Sequence, residues 1–233
     1  MSAGVLVIVP AHNEEESLPV TLGEIRRGAP ECDVLVVDDG STDDTGAVAR
    51  AAGVRVLRHA INLGVGGALA TGFRWALTRG YRVAVQLDAD GQHDPADLAR
   101  VTAPVLAGTC DVAIGSRYVG PSGYHSTAAR RAGMVLFSAV VELMLGQRIT
   151  DTTSGYRAYS RRVMEAFQYD VPVDFPDAPF LIALARRGFR LEEVPVTMRA
   201  RRAGRSFYTL GKQLYYPYKN LLASLMARFQ RPA

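Results

Sequence analysis

A mainly parallel α/β sheet flanked by helices is the fold class this sequence predicts, and three observations predict it. Short apolar runs alternate with helix-like segments through the first half, the pattern of strand–helix–strand units. Two of those runs end in acidic clusters: Val34–Val37 leads into Asp38-Asp39-Gly40-Ser41, and Val83–Leu87 into Asp88-Ala89-Asp90-Gly91-Gln92-His93. The 233 residues, 48% hydrophobic and 21% charged, suit one substantial core and are too few for two ordinary domains.

Taken in order, Val5–Val9 reads as the first strand and stops at Pro10, with a helix over Glu15–Arg27. Val34–Val37 is the second strand. Ser41 or Thr42 is placed to cap the next helix, with Asp43 and Asp44 in its first turn, where the helix dipole favours acids. Val54–Leu57 is a short third strand. The stretch Asn62-Leu63-Gly64-Val65-Gly66-Gly67 opens a helix that ends near Arg79-Gly80. Val83–Leu87 is the fourth strand, and its run of apolar residues suits burial on both faces. Asp94-Pro95 reads as N-cap and first position of a helix to about Leu106, and Val112–Ile114 as the fifth strand. Beyond Gly115 the rhythm breaks. Residues 116–127 are polar, Ala128–Leu145 reads as a helix with few charges, and Asp151–Gly155 and Val171–Pro179 as loops. Leu181–Arg187 is a helix and Leu191–Val196 the last strand. The expected organisation is one domain over residues 1–198 with an extension over 199–233 in the same structural unit.

Composition narrows the setting. Cys32 and Cys110 are the only cysteines, without the spacing of a disulfide framework or zinc site, and fit two reduced thiols in the cytoplasm. The apolar start Val5–Pro10 is too short for a signal peptide, and Met134–Leu145 falls short of the roughly 20 residues a membrane helix needs. Charge is uneven. From Arg199 onward there are eight basic residues and no acid, so a chain of net charge +4 has a body of about −4. A basic end on an acidic body points to an anionic partner, membrane or nucleic acid.

The chemistry sits in the acidic clusters. In open α/β sheets ligands bind outside the carboxyl ends of the strands. Asp88 and Asp90, one residue apart at a strand end, can face the same way, and hard cations such as Mg²⁺ or Mn²⁺ prefer such carboxylate oxygens. Gln92 and His93 can add ligands or support. A solvated acidic turn is the plain alternative; a buried strand before it and a second acidic cluster nearby favour the cation. Asp38 or Asp39 can accept from a base N–H or a ribose hydroxyl, and the same residues serve a turn and helix cap in either case. The glycine-rich Asn62–Gly72 lacks both the dinucleotide fingerprint and the P-loop lysine, so close helix packing and phosphate contact fit it equally.

Five ordered motifs then carry a family resemblance: Pro10-Ala11-His12-Asn13-Glu14, Asp38-Asp39-Gly40-Ser41, Asp88-Ala89-Asp90, Gly115-Ser116-Arg117-Tyr118 and Asp151-Thr152-Thr153-Ser154-Gly155-Tyr156-Arg157. The chain resembles family 2 glycosyltransferases over nearly its whole length, most of all the dolichyl-phosphate and bacterial polyprenyl-phosphate hexosyltransferases. That resemblance implies a GT-A fold, an NDP-sugar donor (GDP- or UDP-linked, with mannose or glucose), a divalent metal, Mg²⁺ or Mn²⁺, and inversion at the anomeric carbon. Carried over by position, it implies that Pro10, His12, Glu14, Asp38 and Asp39 line the nucleoside pocket. Asp88, Asp90 and Gln92 bracket metal and diphosphate, and Arg117 holds phosphate. Asp151 lies near the reacting centre, and Arg202 and Ser206 close over phosphates.

Two departures accompany it. The Glu-Asp pair that gives polymer-forming relatives a general base is absent; the matching region reads Val173-Asp174-Phe175-Pro176-Asp177-Ala178-Pro179. The C-terminal membrane helices of many relatives are absent too. A sugar hydroxyl must lose a proton as it attacks, whereas a lipid monophosphate, with its second pKa near 6, is already ionised. The missing base therefore suits a polyprenyl phosphate acceptor. The tail interleaves Phe207, Tyr208, Tyr215, Tyr216, Tyr218 and Phe229 with basic residues, a composition for the lipid headgroup zone; a helix packed on the domain is the plain alternative. Nucleic acid is not expected, because no nucleic-acid motif accompanies the charge. The expectation is a metal-dependent hexosyltransferase, cytoplasmic and peripheral at the inner face of a membrane, with a small membrane protein as conjectural anchor. The rivals are a family 2 enzyme with a soluble or glycan hydroxyl acceptor and Asp177 or Asp151 as base, and a non-catalytic nucleotide-sugar-binding scaffold.

Overall fold

The computed structural model describes residues 4–119, 142, 146–172 and 178–199. Seven strands, β1 (Val5–Ala11), β2 (Asp33–Asp38), β3 (Arg55–Arg58), β4 (Val83–Gln86), β5 (Val112–Ser116), β6 (Arg157–Ser160) and β7 (Leu191–Pro195), form one sheet in the order β3-β2-β1-β4-β6-β5-β7. All neighbouring pairs are parallel except β4–β6 and β5–β6. The helices are α1 (Leu18–Gly28), α2 (Thr45–Ala51), α3 (Gly64–Thr78), α4 (Leu98–Ala107), α5 (Arg161–Phe167) and α6 (Ala178–Arg186).

The apolar runs explain why the sheet has two covered faces. Along β1 the side chains alternate: Val5, Val7 and Val9 join Leu22 and Ile25 of α1 and Leu98 and Val101 of α4 in one core. Leu6 and Ile8 join Leu69 and Phe73 of α3, Phe167 of α5 and Phe180 of α6 in the other. Period-2 alternation with both faces apolar produces an uninterrupted hydrophobic strand, as in parallel sheets generally.

The expected mainly parallel sheet is present, and the differences are local. The helix expected from Ser41 or Thr42 begins only at Thr45, so Asp43 and Asp44 precede it. The reason is competition: Asp43 accepts from the Thr45 backbone N–H and hydroxyl, holding the chain in a turn that delays the helix. The first helix likewise starts at Leu18 rather than Glu15, with Pro19 in its opening turn. Asp94 does cap through the Ala96 N–H at 3.1 Å, but a single 3₁₀ turn, Pro95–Asp97, precedes α4. Strand β6 and helix α5 were not foreseen. The helix expected over Ala128–Leu145 lies almost wholly outside the described residues, as do Asp174, Asp177 and the chain beyond Arg199.

Candidate functional site

Three consecutive strand ends make the crevice. Strand β1 has β2 on one side and β4 on the other, so the connections diverge there, the switch point at which open α/β sheets bind ligands. The loops after β1, β2 and β4 carry His12-Asn13-Glu14, Asp39-Gly40-Ser41 and Asp88-Ala89-Asp90. Strand β5 runs parallel to β4 and antiparallel to the β6 between them, so Arg117 after β5 and Asp151–Gly155 before β6 lie on that same edge.

The first two loops are zipped together by polar contacts. Asn13, at φ 56°, donates its backbone N–H to Ser41 Oγ at 3.1 Å, and its Oδ1 accepts from Thr42 N at 2.8 Å. The Glu14 backbone N–H donates to Thr45 Oγ1, and the Glu14 carboxylate accepts from Ser17. His12 Nδ1 lies 2.9 Å from the Asp39 carbonyl oxygen. Pro10 does not end β1 as its ring suggests: it pairs in register with Val37, and Ala11 continues the ladder opposite Asp38. Gly40 sits at φ +69°, and a Cβ there would lie 2.6 Å from the Ile61 carbonyl carbon. Only glycine allows that turn to meet the entry of α3.

Neighbours in sequence, Asp38 and Asp39 have different surroundings. Asp38 is fully buried; one oxygen accepts from Ser41 N at 3.0 Å, and the other lies 3.5 Å from Arg58 Nε and faces Gly46 of α2. Its contacts are those of a turn anchor. Asp39 offers Oδ1 to His59 Nδ1 at 2.7 Å and Leu63 N at 2.9 Å, and no contact engages its Oδ2 among the described residues.

The second acidic cluster lies in a turn. Strand β4 stops at Gln86, so pleat alternation does not orient Asp88 and Asp90; the turn through Gly91 at φ 73° does. Thr21 of α1 pins that turn through the Ala89 carbonyl at 2.9 Å. Asp90 is buried and accepts from Gln92 N at 3.0 Å. Asp88 is half-buried between His93 Nε2 at 3.1 Å and Gln86 Nε2 at 3.3 Å. Burial alone would raise its carboxyl, but the His93 hydrogen bond and charge, the Gln86 contact and the nearby Arg157 guanidinium together hold it below the usual carboxylate range. It is ionised at neutral pH. Asp88, Asp90 and Gln92 bring to this turn oxygen donors of the hard kind that Mg²⁺ and Mn²⁺ prefer. No group of three or more His, Cys, Asp or Glu side chains converges among the described residues, so phosphate oxygens or water must complete any coordination shell there.

The structure brings Arg117 and Asp151 into direct contact. Arg117 Nε and Nη2 meet the two Asp151 oxygens at 2.7 and 2.6 Å, the Arg117 backbone N–H adds a third bond at 3.0 Å, and Thr153 Oγ1 accepts from Nη2. Both residues are buried. Glu193 of β7 holds the segment from behind, accepting from the backbone N–H groups of Thr150 and Asp151. Such a bidentate pair fixes both partners.

Arg202 and Ser206 lie outside the described residues, but the root of the tail does not. The Arg199 backbone N–H donates to the Gln92 carbonyl at 2.8 Å, while its guanidinium reaches Glu24 and Asp94 at 2.9 and 2.6 Å. Among the described residues no helix is long and apolar enough to cross a membrane.

Sequence reasoning assigned no role to four residues that shape this site. Arg157, 1% exposed, stands opposite Gln86 in the β4–β6 ladder and donates to the Thr152 carbonyl. Gly155 lies against Asp88, where a Cβ would come 2.5 Å from Oδ2. His59 holds Asp39, and Glu193 holds Thr150 and Asp151. A signal existed only for Gly155 and Arg157, which belong to a recognised motif; the other two act across strands.

Comparison with known proteins agrees with this geometry. The profile of glycosyl transferase family 2 matches residues 6–167. The undecaprenyl-phosphate mannosyltransferase of Micrococcus luteus is 43% identical over 87% of this chain and 86% of that protein. The polyprenol monophosphomannose synthase of Mycolicibacterium smegmatis is 41% identical over 85% and 78%. Among solved structures, glucosyl-3-phosphoglycerate synthase from Mycobacterium tuberculosis with phosphoglyceric acid superposes with a TM-score of 0.74 at 23% identity, over 97% of this chain and 80% of that one. The same enzyme with Mn²⁺ and UDP-glucose gives 0.69 at 24% identity, over 96% and 78%. These likenesses establish a shared GT-A fold.

Proposed function

This chain belongs to glycosyl transferase family 2 and is a glycosyltransferase, and on that premise we propose that it transfers a hexose, mannose first among candidates, from an NDP-sugar to a polyprenyl phosphate with inversion. The observation that carries this reading is the convergence of three strand-end loops at the β2–β1–β4 switch point, one carrying Asp39 and another the Asp88–Gln92 turn. The names of the two bacterial relatives support the lipid acceptor and the mannose.

In this reading the zipped loops with Pro10, His12 and Glu14 line the nucleoside pocket, and Asp39 accepts from the base or ribose. Asp38 supports the turn from beneath. Asp88, Asp90 and Gln92 would hold Mg²⁺ or Mn²⁺, which when bound neutralises charge on the departing diphosphate. The acceptor phosphate oxygen attacks the anomeric carbon, the bond from that carbon to the diphosphate breaks, and the nucleoside diphosphate leaves. No proton need be removed from the ionised acceptor. Arg117 stabilises phosphate charge, held in position by Asp151, whose two oxygens are engaged in that task and suit a positioning role better than a base. Arg199 roots the tail at Gln92, which supports closure of Arg202 and Ser206 over the phosphates and leaves the basic aromatic segment to meet a membrane surface at its cytoplasmic face.

The test is transfer from labelled GDP- and UDP-hexoses to a short polyprenyl phosphate, with Mg²⁺, Mn²⁺ or EDTA. Metal-dependent lipid-linked product from one donor supports the reading. Product on a soluble glycoside without lipid phosphate would replace it by a hydroxyl-acceptor transferase, and donor binding without turnover on any acceptor by a scaffold.

A further inference from the structure

Resting on the nucleotide-sugar reading above, we propose that His59 is a positioning residue that fixes the Asp39 carboxylate for base selection, through a chain running from Asp39 to His59, Thr71 and Arg74. His59 follows β3, and its backbone N–H is fixed on the Asp38 carbonyl at 2.9 Å. Its side chain is 11% exposed. Nδ1 meets Asp39 Oδ1 at 2.7 Å, and Nε2 meets Thr71 Oγ1 of α3 at 2.9 Å. Arg74, one turn further along α3, donates to the same Thr71 oxygen at 2.9 Å and to the Gln168 carbonyl at 2.8 Å.

These contacts fix the hydrogen bonds at the two ends of the chain, from Arg74 to Thr71 and from His59 to Asp39. A guanidinium only donates, so the Thr71 oxygen accepts from Arg74 and keeps its own hydrogen to give. His59 Nε2 is the one acceptor that hydrogen reaches among the described residues. The Asp39 carboxylate oxygen only accepts, so Nδ1 carries a proton, and that proton points at Asp39 Oδ1. With the Leu63 N–H it occupies Oδ1 and leaves Oδ2 to a ligand.

A carboxylate oxygen only accepts, and the donor on which the four bases differ most is the ring N–H. Uracil and guanine carry one beside a carbonyl; adenine and cytosine place a lone pair there. A carboxylate locked in one rotamer discriminates between these edges, while a rotating one can turn its acceptor away.

The experiment is calorimetric binding of UDP, GDP, CDP and ADP with Mg²⁺ to the full chain, in wild type, His59→Phe, His59→Asn and Thr71→Val, with melting curves on the same samples. Wild type prefers UDP or GDP. His59→Phe weakens the preferred nucleotide about tenfold, the order of one hydrogen bond to a charged group, and leaves ADP and CDP unchanged. His59→Asn, whose amide can replace the Nδ1 donor, restores most of the preference, and Thr71→Val loses part of it. Wild-type preference in His59→Phe, equal loss for all four nucleotides, or no rescue by asparagine overturns the proposal. If His59→Phe does not fold, unchanged preference in Thr71→Val overturns it and reduced preference supports it. Wild type binding none of the four defeats the nucleotide-sugar reading itself, a failure visible before any variant is compared.

Discussion

The proposed nucleoside half of the crevice and its proposed phosphate half are built on opposite plans. On the β1–β2–β3 side, loops are joined mainly by backbone N–H groups, hydroxyls and amides: Asn13 to Ser41 and Thr42, Glu14 to Thr45. On the β4–β5–β6 side, ionisable side chains hold one another directly: Arg117 with Asp151, and Asp88 with the His93 ring. The first half is assembled before any ligand arrives. The second holds Arg117 and the carboxylates in internal contacts, which in the proposed reading an incoming diphosphate engages. A cleft for a ligand with one neutral end and one highly charged end needs both: rigid shape where hydrogen bonds discriminate, and neutralised charge where an empty site would otherwise bury ions at a cost of several kcal/mol each.

The sharpest way to break this contrast is Asp90→Ala. It removes a buried carboxylate, proposed as a metal ligand, from the phosphate half alone, so transfer should fall by about a thousandfold or more, the scale of losing a central electrostatic group, with the melting temperature little changed. Rate and melting curves on one preparation check it, and equal loss of fold and rate would move Asp90 to a structural role. Asp151→Asn is expected next. It leaves the Arg117 guanidinium, 9% exposed, without its counter-charge and should cost about 3 kcal/mol of stability by denaturant titration. An unchanged midpoint would mean that the pair is dispensable to the fold. Gly155→Ala should displace Asp88 and lower transfer by about ten- to a hundredfold, since a misplacement near 1 Å has that scale, while nucleoside diphosphate binding survives without metal.

The smallest effect lies away from both halves. Burial pushes the Cys32 thiol up to about 11 and the Cys110 thiol up to about 12, with nearby acids adding to each. Both stay protonated at pH 8, so alkylation of the folded protein should be at least tenfold slower than in urea. Above about pH 8.5 the unfolded chain releases these protons first, so stability falls as pH rises toward 11. Rapid labelling of native protein at pH 8 would contradict the burial.

Much of this was legible in the sequence, for identifiable reasons. Apolar runs such as Val34–Val37 and Val83–Gln86 are buried on both faces, so hydrophobicity alone located them. The acidic clusters stood out because carboxylates at the end of a buried strand are costly unless used. Strand β6 was not legible. It is four residues long, opens with a buried arginine and draws its stability from β4 and β5 rather than from propensity. The charge pairs were hidden for a related reason: Arg117 and Asp151 appeared as two separate motif residues, and only the neighbouring positions of β5 and β6 reveal one device. The early start assigned to α2 reflects side chains of Asp43 and Thr45 outbidding the helix for backbone donors.

The antiparallel strand β6 also dictates an order of events in synthesis. Strands β1 to β4 pair with partners that have already emerged, but β5 finds neither neighbour when it appears: β6 and β7 both lie further along the chain. Until Arg157–Ser160 arrives, β4 presents an open edge and β5 waits unpaired through the whole segment that follows Ser116. Contacts so distant in sequence form slowly, and unpaired strand edges invite aggregation. A nascent chain halted before Arg157 is therefore a half-finished sheet with β1 to β4 paired, β5 unpaired, and a sticky border between them.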